Sequence, residues 1–383
     1  KLAPRLWKQD IDALWPFGKG LAKGSSDQRA TFDTLVQLMQ KQELQSVKTI
    51  LFRGFIAGVH ADNPSLSRIL QESVLVVPEL KPYFVEILSA TPIAPWGTKR
   101  LMELALAGEL EAWRFQQISY GRTICDDELS KLLGAINDLA DGIFATINIL
   151  SMRLFTDKDS NYSPSDDLRS VGRLAILKLL SMHRDEIRRR KSHGMNRVIE
   201  ECLSEPATEN EIRDIINVLC DGVKTYRLCS FELENIIVYL VKTYPEYVLD
   251  RVFIEGETSE QLIYFLFRGR VNRSSSPLDF APIERVLDWC NGNQDRIQKV
   301  AGAVSAYTSL DKESQTHDNP SKVGLSKHIL SLLDAAEDKV AIVETIFSRT
   351  SPVSGSGSRA DILEVRSKAF AELLNHGSPE VQE

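Results

Sequence analysis

Apolar residues recur at spacings of three and four from one end of this chain to the other, a rhythm that admits little besides helix. Phe32, Leu35, Val36 and Met39 stand at i, i+3, i+4 and i+7, one face of a helix. Val47, Ile50, Leu51 and Phe55 repeat the pattern, as do Leu139, Ile143, Ile147 and Leu150. Ile212, Ile215, Ile216, Leu219 and Val223 form the longest such stripe. Leu325, Ile329, Leu332 and Leu333 follow, and then Val340, Val343, Ile346 and Phe347. Start signals agree with this reading. Thr208 with Glu211 three residues on is a capping box, in which each side chain satisfies the other's free backbone amide. Pro64 and Pro245 suit first-turn positions, where the missing N–H costs nothing. Asp126-Asp127 and Asp166-Asp167 suit helix openings, where carboxylates favour the positive end of the dipole.

Three short runs could be strands: VLVV at 74–77, IIVYLV at 236–241 and LIYFLF at 262–267. Their flanks decide for helix. Ser230 with Glu232 and Glu234 opens the second, Ser259-Glu260 the third, and hairpin signals are missing nearby. Helix starts near residues 26, 64, 96, 126, 165, 209, 259, 281 and 321 imply units of roughly 30–45 residues, within the range of solenoid repeats. Tetratricopeptide and ankyrin signatures do not recur. The expected fold is therefore all-α, an irregular HEAT-like α-solenoid of antiparallel helix pairs. It reads as three segments of one solenoid, 1–155, 156–280 and 281–383.

At 383 residues the chain is long enough to bury a core without disulfide or metal staples. With 43% hydrophobic and 26% charged residues it is no disordered polymer, and its net charge of −7 disfavours a dedicated nucleic-acid binder. No run approaches the ~18 apolar residues of a membrane span. Five cysteines without a CxxC pair, and no apolar stretch after KLAPRLWKQD, point to a cytoplasmic chain whose cysteines pack as small hydrophobes. A start at Lys1 and an end in HGSPEVQE, an interrupted repeat, lead us to expect an excerpt of a longer protein. Residues 156–165, 271–279, 309–322 and 351–358 are polar, Ser-, Pro- or Gly-rich loops, either tolerated insertions or binding loops.

Catalytic chemistry finds no local support. GKGLAKGSS at 18–26 has the wrong order for a P-loop, since Lys23 precedes Gly24, and is expected to be a turn with Ser25 or Ser26 capping the next helix. The six histidines form no HExxH and stand beside no cysteine at zinc-finger spacing. There is no GxSxG elbow. No catalytic residue, cofactor or metal ligand is assigned. Two basic turns remain. Arg184, Arg188, Arg189, Arg190 and Lys191 trail LAILKLL, and Arg268, Arg270 and Arg273 trail LIYFLF. Each is either a solvated helix end complementing a dipole or part of a patch for an acidic or phosphate-bearing partner.

The run APWGTKRLMELALAGELEAWRFQQISYGRTICDDELSKLL, the downstream GIFATINILSMRLF, and SPVSGSGSRADILEVRSKAFAELLNH near the end resemble the C-terminal helical-repeat regions of large bacterial multidomain proteins. In those proteins an effector or STAND-type P-loop NTPase module precedes a HEAT-like region, and several act in anti-phage defence. The resemblance covers residues 50–155 and 340–376 and carries no functional residue across. It implies a non-enzymatic recognition scaffold or sensor region whose partner is a protein or the larger parent chain. The alternative is a HEAT-like nucleic-acid-binding or DNA-repair protein of the alkylpurine glycosylase type; a self-standing enzyme with a dispersed site stands third.

Overall fold

The structure is a computed structural model. It describes residues 6–7, 13–41, 47–120, 123–155, 162–189, 194–204, 207–229, 232–254, 259–268, 275–309, 323–349 and 358–382. The fold is all-α. In chain order the helices are α1 (Leu14–Gly24), α2 (Gln28–Gln40), α3 (Ile50–Asp62), α4 (Pro64–Val74), α5 (Phe84–Leu88), α6 (Pro95–Leu106), α7 (Asp126–Asn137) and α8 (Gly142–Leu154). There follow α9 (Asp166–Ser181), α10 (Arg184–Arg189), α11 (Met195–Cys202), α12 (Glu209–Lys224), α13 (Glu234–Thr243), α14 (Pro245–Phe253) and α15 (Ser259–Ile263). The last are α16 (Ile283–Cys290), α17 (Gln294–Ala301), α18 (Lys327–Ala335), α19 (Lys339–Ser348), α20 (Arg359–Ala369) and α21 (Pro379–Gln382). Among the described residues, none of these is long and apolar enough to cross a membrane.

The chain packs as two compact units, residues 1–175 with 191–206, and 176–190 with 207–383. One boundary between them falls inside α9, between Ala175 and Ile176.

Local rules place most elements where the spacing puts them. Ile212, Ile215, Ile216, Leu219 and Val223 are all buried on α12, whose capping box at Thr208 and Glu211 is formed. Pro64 and Pro245 occupy first turns, and Asp126 opens α7. IIVYLV lies in α13. LIYFLF is helical too, but from Tyr264 to Arg268 the helix widens to π geometry. VLVV departs from expectation: α4 stops at Val74 and the next residues turn, leaving Val76 80% exposed. Residues 307–309 and 323–325 form an unexpected antiparallel strand pair, β1 (Tyr307–Ser309) and β2 (Val323–Leu325). Of the segment read as a loop at 271–279, the described part forms a capped 3-10 turn, with Ser276 and Asp279 bonding reciprocally and Pro277 and Leu278 buried.

GKGLAKGSS is not the expected turn. Residues 18–24 continue α1, and the cap of α2 is Asp27, whose side chain accepts from the Ala30 amide, not Ser25 or Ser26. The glycines serve packing. Gly18 and Ala22 on α1 face Gly54 and Gly58 on α3, so closely that a Cβ on Gly18 would lie 2.5 Å from the Leu51 carbonyl oxygen. One on Gly58 would lie 2.7 Å from the Ala22 Cβ. Only hydrogen at these positions lets the two backbones meet.

Helix C-termini expose carbonyls that need donors, and here cations from distant chain positions supply them. In the first unit Arg197 donates to the Leu154 carbonyl at the end of α8 (3.1 Å), and Arg173 to that of Cys202 at the end of α11 (3.1 Å). In the second, Arg227 donates to Met182 (3.1 Å) and Leu180 beyond and within α9, Arg285 to Thr243 closing α13 (2.9 Å), and Arg349 to Ala301 closing α17 (2.9 Å). Four of these pairs, Arg197–Leu154, Arg227–Met182, Arg285–Thr243 and Arg349–Ala301, join residues 43, 45, 42 and 48 apart. The four arginines themselves stand 30, 58 and 64 residues apart, so the contacts share a span and not a period.

Candidate partner-binding surface

Of the first basic turn, Arg184, Arg188 and Arg189 lie on α10, exposed, while Arg190 and Lys191 fall outside the described residues. The Arg188 guanidinium lies 3.7 Å from the Glu232 carboxylate, and Arg189 donates to the Asp185 carbonyl at 3.0 Å. These residues do not complement the end of LAILKLL. The chain breaks at His183 and starts a separate helix, and the carbonyls left behind are taken by Arg227. Of the second turn only Arg268 is described; Arg270 and Arg273 fall outside. Arg268 donates its Nε–H to the Gly302 carbonyl just beyond α17, and its Nη1 is 4.0 Å from Glu260. It caps a different helix from the one it follows.

What connects the two elements is a turn the sequence reading passed over. The Arg184 amide donates to the Arg227 carbonyl at 2.9 Å, fastening the start of α10 to the turn after α12. In that turn Tyr226 takes φ +57°, the left-handed conformation that glycine usually supplies at a helix C-terminus. A bulky residue there is strained. The turn is held closed by Leu228 donating to Gly222 (2.9 Å) and by the Arg227 bonds, with Gly222 leaving room for the Leu228 side chain.

The Tyr226 ring is 59% exposed and meets Phe265 edge-on at 5.3 Å; Phe265 in turn meets Tyr264 edge-on at 5.3 Å. Tyr264 and Phe265 sit on the π segment, a geometry frequent at functional sites. Ile254, half exposed, closes α14. The result is an aromatic surface on one unit, next to the exposed arginines of α10. Its composition, tyrosine with arginine, is that of protein-interaction hot spots.

Behind the π segment Leu266 helps line an apolar void of about 10 Å³ with Ile216, Cys220 and Ile237, room for one water and without polar partners for it. Among the described residues no three His, Cys, Asp or Glu side chains gather to hold a metal. Burial pushes the Cys202 thiol up to about 12 and that of Cys290 to about 11, which keeps both in the unreactive protonated form. Cys220 is likewise buried, but Cys125 is exposed at the start of α7, against the core role expected for it. Comparison with protein-family models, curated proteins and solved structures finds no match to this chain.

Proposed function

We propose that this chain is a non-enzymatic recognition scaffold: a HEAT-like solenoid of stacked helix pairs, acting as the sensor or C-terminal repeat region of a bacterial anti-phage defence protein. It binds a protein partner, or another part of its parent chain, through the Tyr226–Tyr264–Phe265 surface and the arginines of α10. Four cation-to-carbonyl contacts that each span 42–48 residues support the stacking, because a tie between neighbouring helix pairs of HEAT size, about 40–47 residues, has that reach. One observation carries the assignment of the surface. A glycine would relieve the backbone at position 226, yet the position holds an exposed tyrosine at φ +57°. Strain kept at a surface side chain is the mark of a residue retained for what it touches.

Tyr226→Gly separates the two uses. Its stability should equal or exceed the parent's by up to about 1 kcal/mol, as strain relief outweighs the entropy glycine adds to the unfolded chain. Partner recovery from a lysate of the native host should fall about tenfold or more, as for a hot-spot tyrosine. Arg188→Glu with Arg189→Glu should lower recovery of the same partner and flatten its loss with salt. Equal recovery by all three proteins retires the surface. Recovery that disappears when the lysate is first treated with nuclease favours the nucleic-acid alternative.

A further inference from the structure

One guanidinium of the first unit stands without an acceptor. Every other half-buried arginine among the described residues donates to a carboxylate, a hydroxyl or a carbonyl. The Arg53 side chain, on α3, makes neither a hydrogen bond nor an ion pair among those residues, and its Nε is buried without a partner. Glu86 of α5 does not answer it: that carboxylate accepts from the Thr49 hydroxyl one turn earlier (2.7 Å). Guanidinium donors held out of water without an oxygen cost stability, so such a group calls for an explanation.

The packing of α1 on α3 sets what surrounds it. Gly54 has no side chain to hold the helices apart, so the Trp15 backbone lies directly against α3 and its ring comes beside the preceding residue, Arg53. The Arg53 Cζ is 5.7 Å from the ring centroid, and the Nζ of Lys19, one turn along α1, is 5.6 Å from the same ring. The indole attracts both charges but offers their N–H groups no lone pair. Among the described residues neither cation pairs with a carboxylate. α1 itself has no acidic residue, and exposed Lys23 carries the positive charge one turn beyond Lys19.

We propose that Trp15, Lys19 and Arg53 form a docking surface for an acidic segment of a partner protein, with one carboxylate on the Arg53 fork, another on the Lys19 ammonium, and the chain that bears them covering the indole. The charges are complementary, and the cover matters. Lys19 is exposed and Trp15 only half-buried, so a free anion would meet water there and gain little. Carboxylates arriving on a chain that excludes water gain more. Tryptophan beside arginine is also the composition of interface hot spots. A net charge of −7 repels a nucleic acid or an anionic membrane more than a short acidic segment. The surface lies on the other unit from Tyr226, so the two readings stand or fall separately.

The test is a random-peptide library displayed on phage and selected on the full chain, with clones that also bind the Arg53→Gln variant removed. The clones that remain should be rich in Asp and Glu relative to the unselected library. A peptide synthesised from them should bind the parent about tenfold more tightly than Arg53→Gln, as for a hot-spot arginine, and about threefold more tightly than Lys19→Gln. Arg53→Lys should fall between the parent and Arg53→Gln, since it keeps the charge and loses the fork. Binding should weaken with salt, and replacing the peptide's acids by Asn and Gln should abolish it. Lys19→Gln, at an exposed position, serves as the counter-selection should Arg53→Gln not fold. A selection that leaves no clones, or clones without an acidic excess, overturns the surface. So does a single-stranded oligonucleotide that displaces the peptide and binds the parent more tightly than Arg53→Gln, which makes the partner a nucleic acid.

Discussion

Single residues here do work that their type alone does not announce. Glycine is the clearest case, because the same residue has opposite consequences at two positions of α1–α3 packing. Gly54 lies against the Trp15 carbonyl, whereas a Cβ on Gly20 would meet nothing within 4 Å. Gly54→Ala should therefore cost about 2 kcal/mol by overpacking. Gly20→Ala should gain up to about 1 kcal/mol of helix propensity. Urea unfolding of the pair gives the two signs directly. Asp126 is the second case. It accepts from Arg153 (2.6 Å), from the Tyr162 hydroxyl (2.9 Å) and from the Ser165 amide (3.0 Å). Burial alone would raise its carboxyl above the usual 3.8, but these donors outweigh burial and hold it lower. Since the folded-state value lies below the unfolded one, the contribution is complete above about pH 4 and disappears as pH falls through the folded-state value. The stability gap between parent and Asp126→Asn, measured in urea from pH 6 downward, should narrow only below pH 4. A constant gap would show that Asp126 acts by shape and not by charge.

At the scale of elements, helix C-termini are closed by arginines from elsewhere in the chain. Arg227 serves the carbonyls of Met182, Leu180 and Val218 together, and its backbone carbonyl takes the Arg184 amide. Arg227→Ala should cost about 2 kcal/mol, the worth of a charge-assisted hydrogen bond lost from a half-buried site. Arg227→Lys should recover only part of that, because one ammonium cannot reproduce the fork. Chemical denaturation of both variants measures the difference; full recovery by lysine would mean that charge near the dipole suffices. The apolar spacing anticipated α12, the flanks of IIVYLV anticipated α13, and Pro64 and Asp126 marked the starts of α4 and α7. It could not show that Arg268 closes a helix other than the one it follows, since a hydrogen bond between residues 34 apart has no local signature.

For the whole molecule, the proposed stacking of helix pairs implies that a perturbation reaches neighbours and fades beyond them, because each pair would bury its face only against the next. Hydrogen exchange on Arg227→Ala should speed up in residues 176–189 and in α12, with α18 and α19 keeping the protection of the parent. Uniform acceleration along residues 207–383 would indicate one cooperative globule and count against the solenoid.

What the sequence determined by itself was the helical class, the apolar faces of α2 and α12, and the proline and capping-box starts, because these depend on residues within one or two turns of each other. The proposed partner surface was half legible: Arg188 and Arg189 stood out as charge, while Tyr264 and Phe265 stood out only as part of an apolar run and Tyr226 not at all. Only tertiary structure decided that Tyr226 turns left-handed into solvent, that Phe347 lies outside the core, and that Arg268 and Arg349 meet at the end of α17. Periodicity records which side of a helix can be buried; whether that side is covered depends on neighbours supplied by residues tens of positions away.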